Sequence, residues 1–149
     1  MDKKYNLDNN YETNLNLSTL IVLTRAEQKI HKVEYETIKA GGLTNSQFAV
    51  LEVLYSKGDL KICEIIEKIL TTSGNVTVVI KNLEKDGYVS KYADAKDKRS
   101  ILISITEKGE KIMNDIFPKH VNNINNIFNK LTIEEKLELK KILKKFKDL

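Results

Sequence analysis

Residues 62–105 limit the possible folds most, because hydrophobic periodicity changes character twice within them. Ile62, Ile65, Ile66 and Ile69 recur three or four residues apart, the stripe of a short helix over 62–70. Thr71, Thr72, Ser73 and Gly74 break that stripe and offer hydroxyls to cap a new helix. Val76, Val79, Ile80 and Leu83 resume helical spacing and are expected to face inward, until Gly87 ends the run. The period then falls to two over 88–93 and 100–105, where Ile101, Ile103 and Ile105 alternate with Leu102 and Ser104. Between those strands, Asp94-Ala95-Lys96-Asp97-Lys98-Arg99 is too polar for a core and too short for a domain, so it reads as a hairpin tip. A helix, a turn, a second helix and a charged hairpin in this order leave few architectures open.

The flanks are helical. Leu20, Leu23, Ala26, Ile30 and Val33 form one stripe of a helix expected over 16–40, closed by Gly41 and Gly42. Thr44 and Gln47 have the spacing of a capping box, opening a helix that carries Phe48, Leu51, Val53 and Leu54 and stops near Ser56. Residues 60–62 read as a connector. Beyond Thr106, the positions of Ile112, Ile116, Phe117, Val121, Ile124 and Phe128 predict a long helix kinked at Pro118. Thr132 and Glu135 form a second capping box before a last helix with Leu137, Leu139, Ile142, Leu143 and Phe146 on its apolar side. The expected class is mainly α with a small β-hairpin wing. One domain is expected over 1–149, with a winged helix-turn-helix core at about 44–105 and flanking helices at about 16–40 and 107–147 for dimerisation.

Composition narrows the setting. Twenty-five basic against 21 acidic residues give a net charge of +4, compatible with a polyanionic partner. The single cysteine, Cys63, cannot close an internal disulfide, and the first residues lack the apolar run of a signal peptide. No segment approaches the ~20 apolar residues of a membrane span. The expected location is therefore the cytoplasm, with no membrane partner.

In a winged helix-turn-helix the second helix of the pair enters the major groove. With Val76, Val79, Ile80 and Leu83 inward, Thr72, Ser73, Asn75, Thr77, Val78 and Lys81 are left to face double-stranded DNA. Asn75 can pair twice with adenine, Ser73 and Thr77 can bond a base or phosphate, Val78 can pack on a thymine methyl, and Lys81 suits a phosphate. Val78 equally fits a wider buried stripe. At the hairpin tip, Lys96, Lys98 and Arg99 supply cations for the minor groove, whose negative potential is greatest where it is narrow. Asp94 and Asp97 are placed to orient the arginine by a charge-assisted bond.

Residues 43–113 resemble the MarR family. The likeness is carried by LEKDGYV at 83–89, by the D-x-x-D-x-R of Asp94, Asp97 and Arg99, and by ITEKG at 105–109. Pro118-Lys119-His120 extends it into the flank, whereas Lys98 and Val78 stand where arginine is frequent in that family. The resemblance implies a homodimer with interlocked terminal helices, two recognition helices about 34 Å apart, and an inverted-repeat (palindromic) operator. It also implies a transcription regulator, chiefly a repressor, released by a small-molecule effector or by an oxidant.

Other readings are weaker. Cys63, near the start of the first helix of the pair, is a possible redox sensor, but a packing role is preferred. His31 and His120 lack partners at metal-ligand spacing and are assigned packing roles; no metal or cofactor is expected. Phosphate loops, nucleophile elbows and zinc-protease motifs are absent from the sequence, so the chain does not read as an enzyme. The alternative is a winged-helix protein-interaction module or anti-repressor that does not bind DNA.

Overall fold

The computed structural model describes residues 10–69 and 76–149. Its elements run α1 (Tyr11–Ala40), α2 (Asn45–Lys57), β1 (Leu60–Lys61), α3 (Ile62–Lys68), α4 (Val76–Lys85), β2 (Val89–Ala93), β3 (Ile101–Ile105), α5 (Glu107–Phe128) and α6 (Ile133–Leu143), then a 3-10 turn at Lys144–Phe146. The mainly α class with a β wing is borne out.

Local chemistry sets most boundaries. Thr44 and Gln47 form the expected capping box at α2, and Thr132 and Glu135 form the one at α6. Gly58 and Gly87 adopt φ of 83° and 79°, a left-handed backbone that closes α2 and the turn after α4 at no steric cost. The first helix begins earlier than the apolar stripe suggested. Asn10 accepts hydrogen bonds from the amides of Glu12 and Thr13, so capping extends α1 to Tyr11 ahead of the first apolar turn. Pro118 lies inside α5 without ending it.

The hairpin is part of a larger sheet. Strand β3 lies between β2 and β1, both antiparallel to it, with Leu60 opposite Ile103 and Lys61 opposite Leu102. The 60–62 segment is thus not a mere connector. A two-residue strand has no periodicity to reveal it.

The core gathers Ile38 of α1, five residues of α2 between Phe48 and Leu54, Ile65, the inward side of α4, Val89, Ile103, and Met113 and Ile116 of α5. Ile66, Ile101 and Val121, members of the expected stripes of α3, β3 and α5, lie outside it and are exposed. The stripe on α1 is also open. Leu20, Leu23 and Val33 are exposed, and Ile38 is the one buried residue of that helix. In α6 none is buried, and Leu137, Leu139, Ile142 and Leu143 all face outward. Helices α1 and α5 are joined by Asn123, whose amide donates to the Val33 carbonyl and the Thr37 hydroxyl, each at 2.8 Å.

Candidate nucleic-acid interface

Helix α4 divides into two sides. Ile80 and Leu83 are fully buried, Val76 nearly so and Val79 partly, fixing the helix on α2 and β2. Thr77, Val78 and Lys81 are exposed on the remaining surface. Val78 is 48% exposed, so it is not part of a wider buried stripe. Thr72, Ser73 and Asn75 lie outside the described residues, as does the start of the helix expected near Ser73.

The hairpin tip is organised by its aspartates. The Asp94 carboxylate accepts from the Lys96 amide at 2.9 Å, and the Asp94 amide donates to the Ser100 carbonyl at 2.9 Å. Asp97 accepts from the Ser100 hydroxyl at 2.6 Å and from the Arg99 amide at 3.1 Å. These two bonds, the hydroxyl first, hold its carboxyl below the usual range, helped by the cation of Lys61. Both aspartates therefore shape the backbone of the turn. Their expected grip on the Arg99 guanidinium is not seen: among the described residues both aspartates bond to groups of the turn itself. Lys96, Lys98 and Arg99 are exposed, and among the described residues no ion pair neutralises any of them.

Contacts that the sequence did not reveal fix this hairpin relative to α4. Lys91 of β2 pairs with Glu84 of α4 at 2.9 Å. Tyr92 donates its hydroxyl to Asp59, in the turn before β1, and that bond is the main cause of a raised phenol pKa. Behind the sheet, Gly109 sits so close to the Tyr88 carbonyl that an added Cβ would collide with it, while the Thr106 amide donates to the same oxygen at 3.0 Å. Helix α5 is thereby seated on the hairpin. Partners so distant in sequence leave no local signal.

A cavity of about 450 Å³ opens between α1, α2, α3 and α5, lined by His31 and Glu34 of α1, Phe48 and Glu52 of α2, Lys68 of α3 and Phe117 of α5, among others. Burial is the main reason the Glu52 carboxyl is pushed up; the charge of His120 opposes the shift and that of Glu34 adds to it. His120 is buried as expected, but His31 is exposed and paired with Glu34 at 2.6 Å, so it is a surface residue and not a packing one. Cys63 is exposed near the start of α3, which overturns its packing role. No group of three or more histidine, cysteine or acidic residues among the described residues is placed to hold a metal ion. Among the described residues no helix is long and apolar enough to cross a membrane.

Comparison with known proteins identifies the architecture. Residues 34–116, more than half of the chain, match the model of the transcriptional regulator SarA/Rot family. The HTH-type transcriptional regulator MhqR of Bacillus subtilis is 40% identical over 123 residues, covering 83% of this chain and 85% of the relative. The fold matches Sco3205, a MarR family transcriptional regulator from Streptomyces coelicolor solved in complex with DNA, with a TM-score of 0.76 at 21% identity over 91% of this chain and 88% of that one. It also matches BpsR of Bordetella bronchiseptica, whose DNA binding is regulated by 6-hydroxynicotinic acid, with a TM-score of 0.75 at 24% identity over 86% and 91% of the two chains. An α4 with one buried and one open side, a cationic hairpin beside it, and this set of likenesses make one conclusion: the chain belongs to the SarA/Rot family of transcriptional regulators and has the winged helix-turn-helix fold of MarR family structures.

Proposed function

We propose that two copies of this chain bind an inverted-repeat operator in double-stranded DNA and repress transcription until a small molecule releases them. The observation that carries this reading is the placement, on one molecule, of an open α4 face bearing Thr77, Val78 and Lys81 and a hairpin tip whose exposed cations, Lys96, Lys98 and Arg99, form no ion pair among the described residues. The helix face reads base edges in the major groove, with Thr72, Ser73 and Asn75 as further contacts, and the tip grips phosphate and the minor groove. The DNA complex of Sco3205 supports the same use of the fold.

A second copy accounts for the open apolar surface. Leu20, Val22 and Leu23 of α1, together with Ile133, Leu137 and Ile142 of α6, are large side chains left exposed by a single chain. An isologous dimer through about 16–40 and 107–147 covers them and sets the recognition helices about one turn of DNA apart, ~34 Å. The cavity between α1, α2, α3 and α5 is of a size to admit a small effector, and the regulation of BpsR by 6-hydroxynicotinic acid supports ligand control. A ligand that binds better to a dimer of the wrong spacing releases the operator.

Selection of bound duplexes from a random pool tests this reading. Enrichment of an inverted repeat, with affinity that falls steeply as salt rises, is the expected result. Enrichment of nothing, at low ionic strength, overturns it in favour of a protein-interaction module.

A further inference from the structure

The chain has two histidines, and the fold brings both into one cluster of acids. His31 Nδ1 lies 2.6 Å from Glu34 Oε2, and His31 Nε2 lies 3.5 Å from Glu27 Oε1, all on α1. The second oxygen of Glu34 reaches across to α5, 3.9 Å from His120 Nε2. His120 is only 6% exposed, its ring lies against Phe48 of α2 at 4.7 Å, and its Nδ1 has no hydrogen-bond partner among the described residues. Glu52 of α2 completes the set, close enough to exchange charge effects with both His120 and Glu34. Lys57 and Lys68 stand further along the same cavity wall, while Asp115 and Lys119 of α5 pair with each other at 2.9 Å.

We propose that this cluster makes operator affinity depend on pH, with protonated His120 tying α1, α2 and α5 together in the arrangement that binds DNA. The inference rests on the DNA-binding reading above. Histidine is the side chain whose charge ordinarily changes between pH 5 and 8. With both histidines in one place, the imidazole contribution to any pH response has one source. When His120 is neutral, the carboxylates of Glu34 and Glu52 confront each other beside a buried ring. When it is charged, a cation stands between acids from two other helices and against the Phe48 face, drawing all three elements together.

The position of the cluster gives that charge its leverage. Helices α1 and α5 belong to the proposed pairing surface, while α2 packs on α4. A charge that fixes α1 and α5 to α2 therefore fixes the recognition helix relative to its counterpart in the second copy. A dimer held in the right spacing binds its operator with less ordering cost, so affinity rises as pH falls.

The test is operator binding by the full chain, followed by fluorescence anisotropy at constant ionic strength from about pH 8 to about pH 6, using the duplex enriched from the random pool. The parent is expected to bind about five- to tenfold tighter at the lower pH, within the usual range for coupled sites. His120→Gln and Glu34→Gln are expected to flatten the profile. Circular dichroism checks the fold of each; if His120→Gln does not fold, the more exposed Glu34→Gln decides. A flat parent profile, or a slope that survives Glu34→Gln or a folded His120→Gln, overturns this inference and leaves the DNA-binding reading intact. Failure to bind any duplex at any pH overturns that reading and the inference with it.

Discussion

Replacing Gly109 by alanine sets helix propensity against packing, and the structure decides the sign. Gly109 is the third residue of α5, its amide donating to the Thr106 hydroxyl at 3.1 Å. By propensity alone, alanine should stabilise this helix by about 1 kcal/mol. In the folded chain, however, an added Cβ would fall inside the van der Waals envelope of the Tyr88 carbonyl oxygen, 3.2 Å from its carbon and 2.7 Å from Ile105 Cγ1. The carbonyl is backbone and cannot turn aside as a flexible side chain can. Separation of α5 from the sheet by a fraction of an ångström or more would stretch the Thr106 amide bond to Tyr88, now 3.0 Å, and the Thr106 hydroxyl bond to the Gly87 carbonyl, now 2.6 Å. Overpacking of this kind costs about 1–3 kcal/mol, and a weakened hydrogen bond adds about 1 kcal/mol. The net expectation is a loss of about 2 kcal/mol after the propensity gain, which for a chain of 149 residues lowers the melting temperature by roughly 4–8 °C. Thermal unfolding followed by circular dichroism, at one fixed protein concentration because the midpoint of the proposed dimer would vary with it, reads the difference. A Gly109→Ala protein that melts at or above the parent temperature would refute the claim that close contact, and not helix preference, keeps glycine there.

Asn75→Ala is expected to cost about 1–3 kcal/mol and to relax preference at a single base pair, whereas Arg99→Ala weakens all duplexes evenly and reduces the salt slope by about one; binding titrations against operator variants separate the two. Leu137→Glu places a charge on an exposed apolar side of α6. It is expected to shift the chain from dimer to monomer in analytical ultracentrifugation, with a near-unchanged circular dichroism spectrum. Glu52 has a raised pKa, mainly from burial, so the folded state binds its proton more tightly than the unfolded chain does. Its contribution to stability is present below about pH 4.5 and is lost as pH rises through the folded value. Glu52→Gln should therefore melt above the parent at pH 8 and lose that advantage in acid; a parent that is equally stable relative to the variant at both pH values removes the burial argument.

The wing illustrates how far local chemistry carries. Asp94 and Asp97 next to Lys96, Lys98 and Arg99 announce a polar turn, and the structure builds that turn with aspartates on the amides of Lys96 and Arg99. Which partner each aspartate would choose was not legible, since a guanidinium and a backbone amide are both good donors and only the folded geometry ranks them. Val78 makes the same point for α4. Its spacing allowed burial or exposure, and only the folded chain shows that it is 48% exposed.

The order of residues alone determined the helices, their caps at Thr44 and Thr132, the breaks at Gly58 and Gly87, and the hairpin, because each depends on groups a few positions apart. Tertiary structure alone decided that Leu60 and Lys61 add a strand, that the stripes of α1 and α6 stay open while that of α4 is covered, and that Glu34 meets His120. Those outcomes depend on what another part of the chain brings alongside. A periodic pattern records that a surface is apolar; only the packed neighbour determines whether water still reaches it.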